Sequence, residues 1–188
     1  FITEHATPEV DAYRFSKLAT EAITGTHFKS ETDLSEVNIY SRLKAALLPV
    51  RKYGAQNIIM YVSSEVMDFL ERSKDFTRSI ATTSPQGIDT RVTSLDGVQI
   101  IEVWDDARFK TKFDFTTGFV KASDGKDINF LIVAKPAVIA KAKFNSIYLF
   151  APGQHTEGDG YLYQNRLYHD LFVLDTKKDG VYVSHKSA

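Results

Sequence analysis

The sequence contains no cysteine. Disulfides, thiolate metal sites and a cysteine nucleophile are therefore excluded, and a reducing compartment is permitted without being fixed. No stretch approaches the roughly 18 consecutive apolar residues of a membrane-spanning helix, and no basic N-terminal segment leads into an apolar one. The chain reads as soluble and unsecreted. An excess of either charge is also missing, with 23 Lys and Arg against 24 Asp and Glu and a formal net charge of −1. Sequence-independent grip on DNA comes mainly from phosphates neutralised by Lys and Arg, so a balanced chain is expected to meet nucleic acid only indirectly. There is no initiator Met: the first residue is Phe1, inside a helical pattern, as though a preceding segment has been cut away. Internal repeats, heptads and low-complexity tracts are lacking as well. What is present is 188 residues, 43% hydrophobic, enough to bury a sizeable core in one domain or in two small interleaved ones.

The most informative stretch runs from Pro8 to Ile23. On a wheel of about 100° per residue, Ala12, Phe15, Leu18, Ala19, Ala22 and Ile23 share one arc, while Arg14, Lys17 and Glu21 lie opposite. Thr7-Pro8 has the form of an N-cap and first-turn proline, but Phe1 and His5 continue the same arc backwards and favour a longer, kinked helix. Gly25 to Thr32 reads as a polar connection. Asp33-Leu-Ser-Glu36 has reciprocal-cap spacing and predicts a second helix, with Val37, Tyr40, Leu43, Leu47 and Leu48 on one stripe through to Tyr53, loosened at Pro49 and ended by Gly54. Ile58 to Val62 is a core strand. Ser63 caps a short helix to Arg72, with Val66, Phe69 and Leu70 inward.

Ser73 to Gly87 reads as a long surface loop. Asp96-Gly97 joins two β-prone runs, Ile88 to Thr93 and Val98 to Val103, in a hairpin. Phe109, Phe113 and Phe115 suggest an extended piece, Gly118 and Asp124-Gly125 bracket a turn-rich segment, and Ile128 to Ala134 is a second core strand, apolar apart from Asn129. Pro136 opens a short helix through Lys143. Strands follow over Ser146 to Phe150, Tyr161 to Leu174 and Val181 to Ser184, with Lys177-Lys-Asp-Gly180 closing the last hairpin. The order is α+β rather than alternating α/β.

Motifs for chemistry are sparse. No two of His5, His27, His155, His169 and His185 stand at i,i+4 around a carboxylate. Gly158-Asp-Gly160 opens no helix, and no glycine-rich loop ends in Lys-Ser or Lys-Thr. His169 and Asp170 are neighbours on a strand and point to opposite faces. Asp105-Asp106 and Asp124 with Asp127 supply fewer oxygens than a calcium loop needs and read as solvated turns. Helix capping accounts for Ser63-Ser64. Tyr161, Tyr163, Tyr168 and Phe172 mark an aromatic strand, read as core or subunit contact rather than as a stacking platform for single-stranded nucleic acid. Catalytic residues, cofactors and metals are expected to be none.

Glu9-Val-Asp-Ala-Tyr-Arg-Phe-Ser-Lys-Leu-Ala19, Ile59-Met-Tyr-Val62 leading into a helix, and Leu95-Asp-Gly-Val-Gln-Ile-Ile-Glu-Val103 before Asp105-Asp106 together resemble a tailed-bacteriophage major capsid (head) protein. The weaker closing pattern, Gly160-Tyr-Leu-Tyr163, Asn165-Arg-Leu-Tyr168 and Asp170-Leu-Phe-Val173 ending in Gly180-Val-Tyr182, carries the resemblance to the end of the chain. It implies an α+β capsid-type fold with a long spine helix, a peripheral domain and an axial domain. Residues 1–28 would be the peripheral spine segment, 29–145 the axial domain, and 146–188 mostly peripheral strands returning in part to the axial domain. The family's N-terminal arm and extended loop would be absent from this chain.

The implied function is a structural subunit of an icosahedral phage or prophage head that self-assembles and encloses double-stranded DNA. Its implied partners are copies of itself in pentamers and hexamers, a scaffold or equivalent segment, a portal, and packaged DNA held without sequence recognition; no membrane is expected. The implied location is the virion, and the host bacterial cytoplasm during assembly. The polar face of the first helix, with Val10, Tyr13, Arg14 and Lys17, is the expected subunit contact. The alternatives are an encapsulin-type shell around an enzyme cargo and, from another class, a small soluble hydrolase or ligand-binding domain using Asp105-Asp106 or His169.

Overall fold

The computed structural model describes residues 2–74, 92–116 and 118–187. In chain order the elements are α1 (Thr7–Thr24), β1 (Phe28–Ser30), α2 (Ile39–Leu47), β2 (Ile58–Ser63), α3 (Ser64–Arg72), β3 (Ser94–Leu95), β4 (Val98–Val103), β5 (Phe113–Asp114), β6 (Val120–Lys121), β7 (Ile128–Ala134), β8 (Val138–Phe150), β9 (Leu162–Val173) and β10 (Val181–His185). The chain divides into two compact units. Residues 139–172 form one, and the remaining residues on both sides of it form the other.

The larger unit is built on a mixed six-stranded sheet ordered β1-β10-β7-β2-β4-β3. β2 lies parallel to β4 and antiparallel to β7, with Met60 opposite both Ile100 and Ile132. All seven residues of β7 are buried, as a near-continuous apolar run requires when both faces of the sheet are covered. One face, presenting Ile58, Met60, Val62, Ile100, Phe130 and Ile132, packs with Leu43 and Leu47 of α2 and Val66 and Leu70 of α3. On the opposite face Phe15 of α1 meets Tyr61 edge-on at 5.2 Å and Phe109 at 5.0 Å. The molecule is thus α+β.

The first helix is longer than its α-helical part, as the wheel predicts: Ile2–Ala6 precede it as a π-helical segment. The change of winding alters the phase, so none of those five residues is buried and His5 is exposed. Within α1 the interior takes Pro8, Ala12, Ser16, Leu18, Ala19 and Ala22, with Phe15 and Ile23 half-buried. Ser16 is tolerated there because its hydroxyl donates to the Tyr13 carbonyl at 3.0 Å.

The second helix starts later than its cap spacing predicts. Asn38 accepts from the Ser35 amide at 2.9 Å and donates to the Asp33 carbonyl at 2.7 Å, which holds 33–38 as a turn ahead of Ile39. Val37 and Leu48, assigned to the apolar stripe, lie beyond the helix ends and are exposed. The helix stops at Leu47; a 3-10 turn, Arg51–Tyr53, then leads to Gly54 at φ +82°. The 25–32 connection contains β1, which runs parallel to β10. The segment after Pro136 is a single 3-10 turn, Lys135–Ala137, followed by β8 rather than a helix to Lys143. Lys177 to Gly180 fall in a 3-10 segment, Asp175–Gly180, that joins strands of different sheets and so closes no hairpin.

The Asp96-Gly97 hairpin is present as β3 and β4. Most of the first arm read over 88–93, and most of the loop read over 73–87, lie outside the described residues. The smaller unit is the two-stranded pairing of β8 with β9.

Candidate functional site

Val10, Tyr13, Arg14 and Lys17 of α1 are all half-buried. Lys17 Nζ donates to the Tyr13 hydroxyl at 3.2 Å and sits 5.5 Å above its ring. The same ring meets Phe115 edge-on at 6.0 Å. The structure therefore joins Tyr13 and Lys17 in one contact, whereas Arg14 buries its Nε without a hydrogen-bond partner. Nearby, Asp11 pairs with Arg108 at 3.1 Å, and Arg108 also reaches Asp105 at 3.2 Å. The chain's own residues thus cover part of this face.

The carboxylates singled out in the sequence have local partners. Asp105 Oδ1 accepts from the Ala107 amide at 3.0 Å and starts a 3-10 turn. Burial pushes the neighbouring Asp106 carboxyl above its ordinary range. The hydrogen bond from Lys112, at 2.6 Å, holds Asp124 below it. For Asp127 burial acts upward, but hydrogen bonds from Lys121 and Lys110 outweigh it and keep the group low. Asp170 accepts from the Leu171 amide at 2.7 Å. Among the described residues no three His, Asp or Glu side chains gather as metal ligands. Ser63 Oγ accepts from the Val66 amide at 3.3 Å and caps α3. One recess of about 380 Å³ is lined by Leu47, Arg51, Ala55, Ile58, Asp96 and Val98, and another of about 80 Å³ lies beside Glu31, Glu65 and Lys186. Neither is lined by Asp105, Asp106 or His169.

The β8/β9 hairpin presents a different kind of surface. Tyr161, Tyr163, Tyr168 and Phe172 are exposed, so they are not core residues. They are joined in exposure by Ile139, Phe144, Ile147, Tyr148 and Leu149 of β8. Phe144 stacks on Tyr168 at 5.9 Å, Lys143 Nζ lies 5.9 Å from the same ring, and Tyr148 stacks on Phe150 at 6.2 Å. Reading the sequence for a helix from Pro136 through Lys143 misassigned the first part of β8, with Ile139, whereas Ile147, Tyr148 and Leu149 fall in the strand read over Ser146 to Phe150. The signal was there in Ala140-Lys141-Ala142-Lys143, a period of two that a helix does not produce. Single exposed apolar residues are ordinary, but this many on two adjacent strands make an exposed apolar patch.

No protein-family model matches the sequence, and no curated protein matches it. Solved structures do share the fold. A chain from Mycobacterium phage Che8 superposes with a TM-score of 0.58 over 94% of this chain at 11% identity. A chain from Mycobacterium phage Ogopogo gives 0.56 over 86% at 11% identity, and one from Gordonia phage Cozz gives 0.52 over 86% at 16% identity. The present chain spans 58%, 54% and 50% of the length of these three. The chain thus shares its α+β architecture with chains from three phages.

Proposed function

We propose that this chain is a structural subunit of a phage or prophage head, one that self-assembles into an icosahedral shell around double-stranded DNA and works by contact rather than catalysis. The observation that carries the reading is the fold shared with chains from three phages over 86–94% of the sequence. The capsid-like sequence pattern around α1 and the Asp96-Gly97 hairpin supports it independently. So does the apolar exposure of the β8/β9 hairpin, since shell subunits meet through repeated heterologous contacts and closure comes from geometry. A near-neutral chain suits a container, which holds DNA without gripping it.

In this reading the partners are other copies in pentamers and hexamers, a scaffold or equivalent segment, and a portal. The protein resides in the virion, after assembly in the host cytoplasm. The α1 face with Val10, Tyr13, Arg14 and Lys17 is a subunit contact. The test is the mass in solution of this chain and of the whole gene product, with and without scaffold, by light scattering and electron microscopy. Closed shells from the gene product are the expected result. Monomers or dimers at every protein and salt concentration, with scaffold supplied, would overturn the reading.

A further inference from the structure

The β8/β9 hairpin is a sheet of two strands, 13 and 12 residues long. An isolated pair of strands is marginal in water, and a long edge with unpaired N–H and C=O groups is a template for another strand. The two edges are not alike. On β8 ten of thirteen residues are exposed, but on β9 only four of twelve are. β8 is therefore the more exposed of the two strands.

Charge is divided along the hairpin. β8 carries Lys141 and Lys143 and no acid, whereas the connecting loop 151–161 carries Glu157 and Asp159 and no Lys or Arg. Among the described residues no carboxylate lies within ion-pair distance of Lys141 or Lys143. The loop has internal order: the Ala151 amide donates to Gln154 Oε1 at 3.0 Å, the His155 ring meets the Gly160 carbonyl at 2.7 Å, and the Glu157 amide donates to His155 Nδ1 at 3.3 Å. Both loop carboxylates remain exposed.

We propose that the β8 edge pairs antiparallel with the β8 edge of a second copy of this chain, about a two-fold axis close to Ser146. The arrangement sets Lys143 of one copy opposite Leu149 of the other and Lys141 opposite Ala151, at the mouth of the acidic loop. Each copy's basic end then meets the other's acidic end. Parallel in-register pairing would instead stack Lys141 on Lys141 and Lys143 on Lys143, so the same lysines that permit the closed pair oppose an open-ended one. The apolar Ile147-Tyr148-Leu149 stretch is covered in the same step.

The strip is about 40 Å long and one strand wide, well short of the roughly 800 Å² per partner of a stable complex. The contact is therefore weak alone and effective when many copies are held together. For that crowding of copies the inference rests on the shell reading.

The test compares the whole gene product with three variants: Lys141→Glu with Lys143→Glu, Glu157→Lys with Asp159→Lys, and all four together. All four positions are exposed, so circular dichroism should be unchanged. Either pair alone should lower association, read by light scattering, at least tenfold, and the fourfold variant should recover to within about threefold of the parent. Because this chain of 188 residues has no cysteine, a second readout uses it by itself: oxidation of its Ser146→Cys variant should give a disulfide-linked dimer, whereas Arg166→Cys on β9 should not. Shells that form normally in both paired variants, or an Arg166→Cys dimer in place of a Ser146→Cys dimer, overturn the pairing and leave the shell reading standing. Cross-linked, charge-rescued dimers without shells support the pairing and overturn the shell reading. A parent protein that associates in no condition overturns both.

Discussion

Tyr53 donates its hydroxyl to Asp179 Oδ1 at 2.7 Å, while Lys52 closes on the other oxygen of the same carboxylate. Burial first, and then the Asp179 hydrogen bond and charge, push the Tyr53 phenol from 10.0 up to about 12. Lys52 and Tyr53 hold Asp179 below its usual 3.8. The two groups work in opposite pH windows. Tyr53's contribution to stability is complete below the unfolded tyrosine value near 10 and is lost as pH rises through about 12. Asp179's is complete above its unfolded value near 3.8 and is lost as pH falls through the lowered folded value. Spectrophotometric titration of the phenolate, compared with Tyr53→Phe to isolate the signal, should show Tyr53 still protonated at a pH where ordinary tyrosines have ionised. Asp179→Asn should bring its midpoint back toward 10; an unmoved midpoint would show that the carboxylate has no part in the shift. Ser63→Ala should cost about 1 kcal/mol, read as a lower urea midpoint with unchanged slope, since it leaves the Val66 amide of α3 without its acceptor. Ser63 was legible as a cap from sequence because its signal is local: a hydroxyl directly before an apolar pattern of spacing three and four.

At the scale of elements, the β3/β4 turn places both Asp96 and Gly97 at positive φ, +52° and +79°, the backbone of a two-residue hairpin that matches strand twist. Lys44 and Arg51 reach across to Asp96 at 2.7 and 2.6 Å and tie the turn to α2 and the residues after it. Gly97→Ala should cost at least about 1 kcal/mol through backbone strain rather than collision, because an added Cβ would meet only Ala55 Cβ, at 3.5 Å. Chemical denaturation checks it, and a loss under a few tenths of a kcal/mol would mean that the turn relaxes. This hairpin, β2, β7 and α3 could be read from sequence because composition over a few residues decides them. Others depend on remote partners. The three residues of β1 are all exposed and form a strand only because β10 runs alongside. Pro136 looks the same ahead of a helix or a 3-10 turn, and β9, some 25 residues on, selects the strand. At the α1 site the sequence identified a polar face, but its cover by Phe115 and the neighbouring residues comes from 100 residues away and has no local signature.

For the molecule as a whole, the division into two units predicts that the hairpin can be removed without unfolding the sheet. The buried cluster between the sheet, α2 and α3 includes no residue of 139–172. The chain enters and leaves the hairpin at one place, where the Leu174 amide donates to the Ala137 carbonyl at 2.9 Å. Replacing residues 139–172 by Asn-Gly should therefore close Val138 onto Val173 with a two-residue turn and leave the six-stranded sheet intact. The shortened chain should unfold cooperatively, with a Tm within about 4 °C of the parent, the size of a change near 1 kcal/mol in a domain of this length. It should also be the more soluble of the two, having lost the apolar strip on β8 and β9. Loss of the cooperative transition would show that the hairpin belongs to the folding unit of the sheet. Made in the whole gene product, the same replacement separates folding from assembly: a folded subunit that forms no shells places the assembly energy on the hairpin. A folded subunit that still closes shells transfers that energy to other surfaces, with the α1 face of Tyr13 and Lys17 the next to be altered.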